Sequence, residues 1–350
     1  MDTMKALIWK KNGKIELVDK KIPKIKDSRD AIVRVTMSSI CTSDLHIING
    51  AVPNAIPGTV LGHEFVGEIV SVGKDIKNLS QGDRVSANCE TFCGECFFCK
   101  RGYINNCING GWKLGCSIDG CQAEYVRVPY ADTGLTKIPK QVSDKNALFV
   151  GDILSSGYFG ALMCEIKSRD TVAVIGAGPV GLCAMQSAKI LGAEKIIAID
   201  IDEKRLDIAV KKGLADTTIN PDKEDADAIV KKATNTYGAD GVIEAAGTNK
   251  SFELAWKIAR PNANIGVVAM YEENQTLPLP EMYGKNLTFK TGGVDAIHCK
   301  ELLQYIADGK LNTDFLISEQ IPLNNIVEGY ERFKNKQNNI LKLAVMPYLK

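Results

Sequence analysis

Residues Thr171–Asp200 read TVAVIGAGPVGLCAMQSAKILGAEKIIAID. Val172–Ile175 is an apolar run bounded by turn residues, the pattern of a strand buried on both faces. Gly176, Gly178 and Gly181 follow in G-x-G-x-x-G spacing, then a helical stretch from Pro179 to Leu191 that Gly192 can stop. A second apolar run, Ile196–Ile199, ends at Asp200. The first glycine permits a tight strand-to-helix turn, the second lets a pyrophosphate approach the backbone, and the third lets helix and strand pack closely. The first helical turn, around Pro179, Val180 and Gly181, lies where unpaired backbone N–H groups meet phosphates. Asp200 stands about 20 residues on, where a carboxylate accepts from both ribose hydroxyls and repels a 2′-phosphate. The stretch therefore reads as an NAD site. Lys204 and Arg205 stand close enough in sequence to meet a phosphate, and Arg205 is counted among the cofactor contacts. The competing reading is a glycine-rich turn in a βαβ unit that binds no nucleotide. What favours the nucleotide is the order: strand, glycines, helix, second strand, acid.

Working outward, strands alternate with helices from 171 to about 291. Strand candidates are 172–175, 196–199, 216–219, 241–244, 264–269 and 287–290, with helices at 203–212, 223–235 and 250–259. That alternation predicts a doubly wound parallel sheet of about six strands. Residues 143–166 lean helical. Helices are expected near 298–308 and 324–335, and a last strand at Leu341–Pro347.

Upstream the chain changes character. Met4–Trp9 and Lys14–Val18 read as strands joined at Asn12-Gly13. Ala31–Val35 alternates, Val60–Val72 is a longer strand-like stretch interrupted by glycines, and Gly82-Asp83 turns into Arg84–Ser86. Short strands, glycine turns and no long helical period predict a small barrel-like β domain.

At 350 residues the chain can hold two cores. Its 43 basic and 42 acidic residues leave no charge surplus for a nucleic-acid face. No apolar run reaches membrane-spanning length, and MDTMKALIWK lacks a signal peptide's apolar centre, so a cytoplasmic protein is expected. Eleven cysteines in a reducing compartment point to metal ligands and buried thiols rather than disulfides.

Within CGECFFCKRGYINNC, the residues Cys93, Cys96, Cys99 and Cys107 are spaced C-x2-C-x2-C-x7-C. Four thiolates close a tetrahedral shell around zinc and leave no open position, so this is a structural site. Iron–sulfur clusters also take four cysteines, at other habitual spacings. Cys89 lies close by but outside the spacing, and Cys116, Cys121, Cys164, Cys183 and Cys299 have no motif and read as small buried hydrophobes. Only three histidines exist. A Cys41 and a His63 some distance apart are weak evidence for a second metal when taken alone.

The segments CTSDLH, GHEFVGEIVSVG and GDRV, the four-cysteine lobe and VIGAGPVG occur in order along the whole chain. In them the chain resembles the zinc-containing medium-chain dehydrogenase/reductase family, alcohol dehydrogenase group. GDILSSGYFGA and GWKLGCSIDGCQAEYVRVPYAD resemble its bacterial secondary-alcohol branch. The resemblance implies an α/β fold: a β-rich GroES-like catalytic domain (1–153 and 295–350) and a doubly wound Rossmann cofactor domain (154–294). It implies that Cys41 and His63 are catalytic zinc ligands and that Glu64 is the carboxylate beside the metal. The third ligand, often a cysteine, falls on Asp152, with Cys164 a competing candidate. A zinc (Zn2+) with three protein ligands keeps one position for substrate oxygen. The resemblance makes Ser43 the hydroxyl that takes the substrate proton and His46 the base that passes it to solvent. The competing reading of Ser43 is a helix N-cap, since Cys41 to Asn49 could start a short helix.

The expected activity is hydride transfer between NAD(H) and a small secondary alcohol or its ketone, with one catalytic and one structural zinc in each chain. The same chemistry on a polyol, an amino-alcohol or a hydroxysteroid is the alternative, and a non-catalytic cofactor-binding relative a remote one. Trp112 and Tyr158 are candidates for the pocket wall, Glu244 and Gly292-Gly293 for cofactor contacts. His298 reads as structural. The resemblance further implies a homotetramer or homodimer, joined through 264–270 and 285–294, with neither nucleic acid nor membrane as partner.

Overall fold

The computed structural model describes residues 2–335, 337 and 340–349. Contacts divide the chain into two units: one runs through Ser155 and resumes at Asp295, and the other is Ser156–Val294.

The first unit opens with a hairpin of β1 (Thr3–Lys10) and β2 (Lys14–Lys21), paired from Thr3↔Lys21 to Lys10↔Lys14. Asn12 and Gly13, at φ 66° and 75°, supply the left-handed pair that reverses it. Strands β3 (Ala31–Ser39), β4 (Phe65–Val72), β5 (Arg84–Ala87), β6 (Tyr125–Val128) and β7 (Leu135–Lys137) follow. The strand-like stretch expected over 60–72 is continuous strand only at Phe65–Val72. Gly62 sits at φ +96°, and a Cβ there would lie 2.6 Å from the Gln122 side chain and 2.9 Å from Cys121 Sγ. The chain turns tightly at Gly62, so only Phe65–Val72 is strand, and Val60 keeps an isolated bridge to Ile8. The helical stretch expected over 143–166 is broken into a short helix at Asp144–Ala147, a π-helical turn at Val150–Leu154 and a helix at Ser155–Met163.

The second unit holds β8 (Thr171–Ile175), β9 (Lys195–Ile199), β10 (Thr217–Ile219), β11 (Ala239–Glu244), β12 (Ala259–Val267) and β13 (Thr288–Thr291). They lie in the order β10-β9-β8-β11-β12-β13, each neighbouring pair parallel. This is the doubly wound arrangement, and its order reverses between β8 and β11. Helices Pro179–Ile190, Glu203–Lys211, Ala226–Ala233 and Asn249–Ile258 cover the sheet. Ile175, Ile197, Val242, Ile265 and Trp256 belong to its buried core.

The chain then returns to the first unit through helices Cys299–Ala307 and Ile326–Lys334 and strands β14 (Ile317–Pro322) and β15 (Lys342–Met346). The sheet there runs β14-β15-β3-β4-β5-β7. β4 takes one edge of β3, while β15 at Ser38–Ser39 and β6 at Ala31–Arg34 share the other. The last strand thus ends against the segment that leads into Cys41.

Candidate active site

Cys41 follows β3 and is the N-cap of helix Thr42–Ile48, with extended backbone (φ −115°, ψ 154°). Its N–H donates to Asp44 Oδ2 at 3.0 Å. The cap position is therefore Cys41, and Ser43 lies inside the first turn with its Oγ 3.5 Å from Cys41 Sγ. Ser43 and His46 are three apart on this helix and share a face.

His63 is carried just past the tight turn at Gly62, and Asp152 lies in the π-helical turn. Gly151 before it packs so closely that a Cβ would fall 1.7 Å from the Ala87 carbonyl oxygen at the end of β5. These elements converge. His63 Nε2 is 3.2 Å from Asp152 Oδ2, and Cys41 Sγ is 3.9 Å from the same oxygen. One donor atom from each of Cys41, His63 and Asp152 lies within 4.8 Å of the others.

Thiol, imidazole and carboxylate together form a donor set that suits zinc. Cys41 and His63 are buried, His63 at 3% exposure, while Asp152 is partly open to water. Burial opposes charge on Asp152, but His63 and then Lys342 outweigh it and hold the carboxyl down at about 2. Burial opposes charge on His63 too, and Asp152 and Asp44 override it, raising its pKa. Such an anion-rich pocket favours a cation. His63 Nδ1 faces Asp44 Oδ1 at 3.5 Å, an ion-pair separation with no hydrogen bond between the two atoms, on the side where a carboxylate orients a ligating histidine. Asp44 is held in turn by the Tyr330 hydroxyl, 3.0 Å from Oδ2.

Glu64 stands outside the trio. Its Oε2 accepts from Lys342 Nζ at 2.5 Å, and Lys342 also donates to the Ile40 carbonyl at 3.0 Å. Burial pushes the Glu64 carboxyl up to about 7 against the pull of Lys342. Cys164, the competing third ligand, is in the other unit and donates to the Val242 carbonyl at 3.4 Å. His298 pairs with Glu301 at 2.9 Å.

Sequence reasoning gave no role to Asp44, Glu90, Tyr330 or Lys342. Asp44 had a signal, because it stands three residues after its cap, as in a capping box. Trp112 lies edge-on to His63, with ring centroids 5.5 Å apart. Glu90 is buried, and burial, then the nearby Asp152 carboxylate, push its carboxyl up to about 8.

The four cysteines of the lobe also come together, their sulfurs within 4.8 Å of one another. Cys96 and Cys99 are 3.5 Å apart, Cys93 and Cys107 3.6 Å, far longer than a disulfide. Backbone N–H groups of Cys99 and Ile108 bring the Cys96 thiol down to about 6. Burial and the neighbouring Cys96 push Cys99 up to about 12. N–H groups aimed at sulfur favour the thiolate that a metal needs.

In the second unit Gly176 adopts φ +96°, and a Cβ on Gly181 would lie 1.7 Å from the Gly176 carbonyl oxygen. Gly178 caps helix Pro179–Ile190, with proline in the first turn followed by Val180 and Gly181. Asp200 accepts from Ala177 N at 2.6 Å and Asp202 N at 2.8 Å, which ties the end of β9 to the glycine turn. Arg205 Nη1 is 3.9 Å from Asp200 Oδ2. Glu244 Oε1 accepts from Ala246 and Gly247, and its Oε2 from the Tyr271 hydroxyl at 2.5 Å.

Residues 27–140 match the alcohol dehydrogenase GroES-like domain and residues 179–306 the zinc-binding dehydrogenase domain. The chain is 36% identical to an alcohol dehydrogenase of Cupriavidus necator, with 99% of each chain aligned. It is 33% identical to the NADP-dependent isopropanol dehydrogenase of Entamoeba histolytica, over 98% of this chain and 96% of that one. An alcohol dehydrogenase from Thermus sp. ATN1 superposes with a TM-score of 0.91 at 36% identity, covering 98% of this chain and 99% of that chain. With both units matched and the donor trio and cysteine cluster in place, the chain belongs to the zinc-containing medium-chain dehydrogenase/reductase family, in its alcohol dehydrogenase group.

Proposed function

We propose that this zinc-dependent oxidoreductase transfers hydride between NAD(H) and a secondary alcohol or its ketone. The observation that carries the reading is the convergence of Cys41, His63 and Asp152 at the start of one helix, beside Ser43. These three residues hold the catalytic zinc, and Cys93, Cys96, Cys99 and Cys107 hold the structural one. When bound, zinc supplies Lewis acidity toward a substrate oxygen and NAD supplies the hydride acceptor.

The chain's own residues supply the rest. Asp44 fixes the His63 ring so that Nε2 faces the other donors. Ser43 takes the proton that the substrate hydroxyl loses while giving up its own, and His46, on the same helix face, passes a proton on to solvent. The Asp44–Tyr330 and Glu64–Lys342 pairs hold the surrounding charges in place.

Asp200 supports NAD, because a buried carboxylate at the ribose position disfavours a 2′-phosphate. Arg205 beside it is the feature an NADP enzyme would use, and the Entamoeba relative is NADP-dependent by name. That relative's name also points to a small secondary alcohol.

The test is zinc content per chain together with reduction of NAD and NADP over a panel from 2-propanol to hydroxysteroids. The expected result is two zinc ions per chain, in line with about one at each donor set, and kcat/KM for NAD above that for NADP by about tenfold or more. Turnover with NADP alone would overturn the cofactor reading, and zinc only at the cysteine lobe would overturn the site.

A further inference from the structure

We propose that Glu90 and Trp112 form a polar subsite beside the Cys41–His63–Asp152 trio that recognises a second hydroxyl on the substrate, making the preferred substrate a diol or longer polyol. The inference rests on the dehydrogenase reading above and narrows its substrate class.

Thr91 and Gly111 form an isolated antiparallel bridge and exchange two backbone hydrogen bonds, Thr91 N to Gly111 O at 3.0 Å and Gly111 N to Thr91 O at 2.7 Å. Glu90 and Trp112 are the residues one step beyond this bridge on each segment, and backbone alternation places both on the face opposite Thr91 and Gly111. Both adjoin the trio. Trp112 packs edge-on against His63. Cys89, just before Glu90, donates its N–H to Gly151, just before Asp152, at 3.0 Å. Asp152 and His63 both act electrostatically on the Glu90 carboxyl.

Glu90 is 6% exposed. Its Oε2 is buried without a hydrogen-bond partner among the described residues, and so is Trp112 Nε1. Buried polar atoms in native folds nearly always have a partner. Two orphans on the residues flanking one bridge, next to a metal-binding trio, mark the place of a polar ligand group.

The chemistry of the pair selects the group. An indole N–H only donates, whereas the Glu90 carboxyl accepts in either protonation state and, when protonated, can also donate. A hydroxyl accepts from the first and donates to the second. An ammonium only donates, so it leaves the indole unpaired, and a methyl group satisfies neither. A second hydroxyl is thus favoured over an amine or an alkyl chain at this position.

The experiment compares 2-butanol with the stereoisomers of 2,3-butanediol, and with 3-amino-2-butanol, on the zinc-loaded enzyme with NAD. The best diol isomer should exceed 2-butanol in kcat/KM by about tenfold or more, and should exceed the amino-alcohol, as expected when a buried polar site rejects a partner that leaves it unpaired. In Glu90→Leu and in Trp112→Phe that ratio should fall toward one, the diol losing more than 2-butanol. Glu90→Gln serves as an isosteric variant if Glu90→Leu fails to fold.

A second readout does not need turnover. The chain has three tryptophans, and in protein labelled with 5-fluorotryptophan the Trp112 signal is the one lost in Trp112→Phe. That signal should shift with the diol and not with 2-butanol. Equal kcat/KM for diol and 2-butanol with no shift overturns the subsite and leaves the dehydrogenase reading intact. A diol-specific shift without turnover of any alcohol supports the subsite and overturns the dehydrogenase reading. A diol preference that survives both Glu90→Leu and Trp112→Phe also overturns the subsite.

Discussion

At Lys342 a fully buried ammonium sits 2.5 Å from Glu64 Oε2 and 3.0 Å from the Ile40 carbonyl oxygen. Burial alone would strip its proton, but Cys41 and Glu64 keep it charged, raising its pKa. Removing one partner of a buried pair leaves the other charge uncompensated. Lys342→Met should therefore destabilise the fold by about 3–5 kcal/mol, and adding Glu64→Leu should recover part of that loss. Urea unfolding of the three proteins measures both effects, and a loss below about 1 kcal/mol, the scale of a surface pair, would refute the account. This pair also shows where sequence reading stops. Cys41, His63 and Asp152 were named from short segments with recognisable neighbours. Lys342 and Glu64 are 278 positions apart, and Tyr330 and Asp44 are 286 apart. No local pattern marks a lysine or tyrosine whose partner is a carboxylate far along the chain. Glu90 and Trp112 were invisible as a pair for the same reason, since the bridge between Thr91 and Gly111 brings them together.

Among the elements, those with strong local periodicity were legible. The six parallel strands were expected within a few residues of their observed ends, apart from an early start of β12 at Ala259. Where tertiary packing decides, the reading failed. Gly62 bends the chain because Gln122 and Cys121 leave no room for a side chain, so 60–72 is not one strand. The π-helical turn at Val150–Leu154, which carries Asp152, is likewise set by the close approach of Gly151 to Ala87. The cysteine loop is a third kind of element, because its order does not come from periodicity or a large core. Phe97 is 60% exposed, and Phe92, Phe98 and Tyr130 are only partly buried against the sulfurs. A bound metal must supply most of what holds the loop. Cys96→Ser should lower zinc content by about one ion per chain, and should make the 93–107 segment cleave about tenfold faster in limited proteolysis. Zinc at the Cys41–His63–Asp152 trio should remain. Unchanged zinc content would show that the lobe holds no metal.

For the whole molecule, each unit has its own core, and the doubly wound order of the second unit leaves β10 and β13 as sheet edges. An edge strand presents unpaired N–H and C=O groups, and proteins protect such edges or use them to pair with another chain. In the connection from β12 to β13, Leu279 is 66% and Tyr283 89% exposed. Apolar side chains leading into a free edge describe a surface that a second copy would cover, in a two-fold arrangement that pairs like with like. The chain is therefore expected to assemble through β13 as a dimer, or as a tetramer built from such dimers. Light scattering on the eluted protein should give a multiple of the 38.0 kDa chain mass. The double variant Leu279→Asp, Tyr283→Asp should shift the population toward 38.0 kDa while circular dichroism stays unchanged. These exposed positions bury little in the single chain, so the substitutions are expected to change its own stability by less than about 0.5 kcal/mol. A wild-type mass of one chain would remove the assembly altogether. A multimer untouched by the double variant would move the interface away from β13.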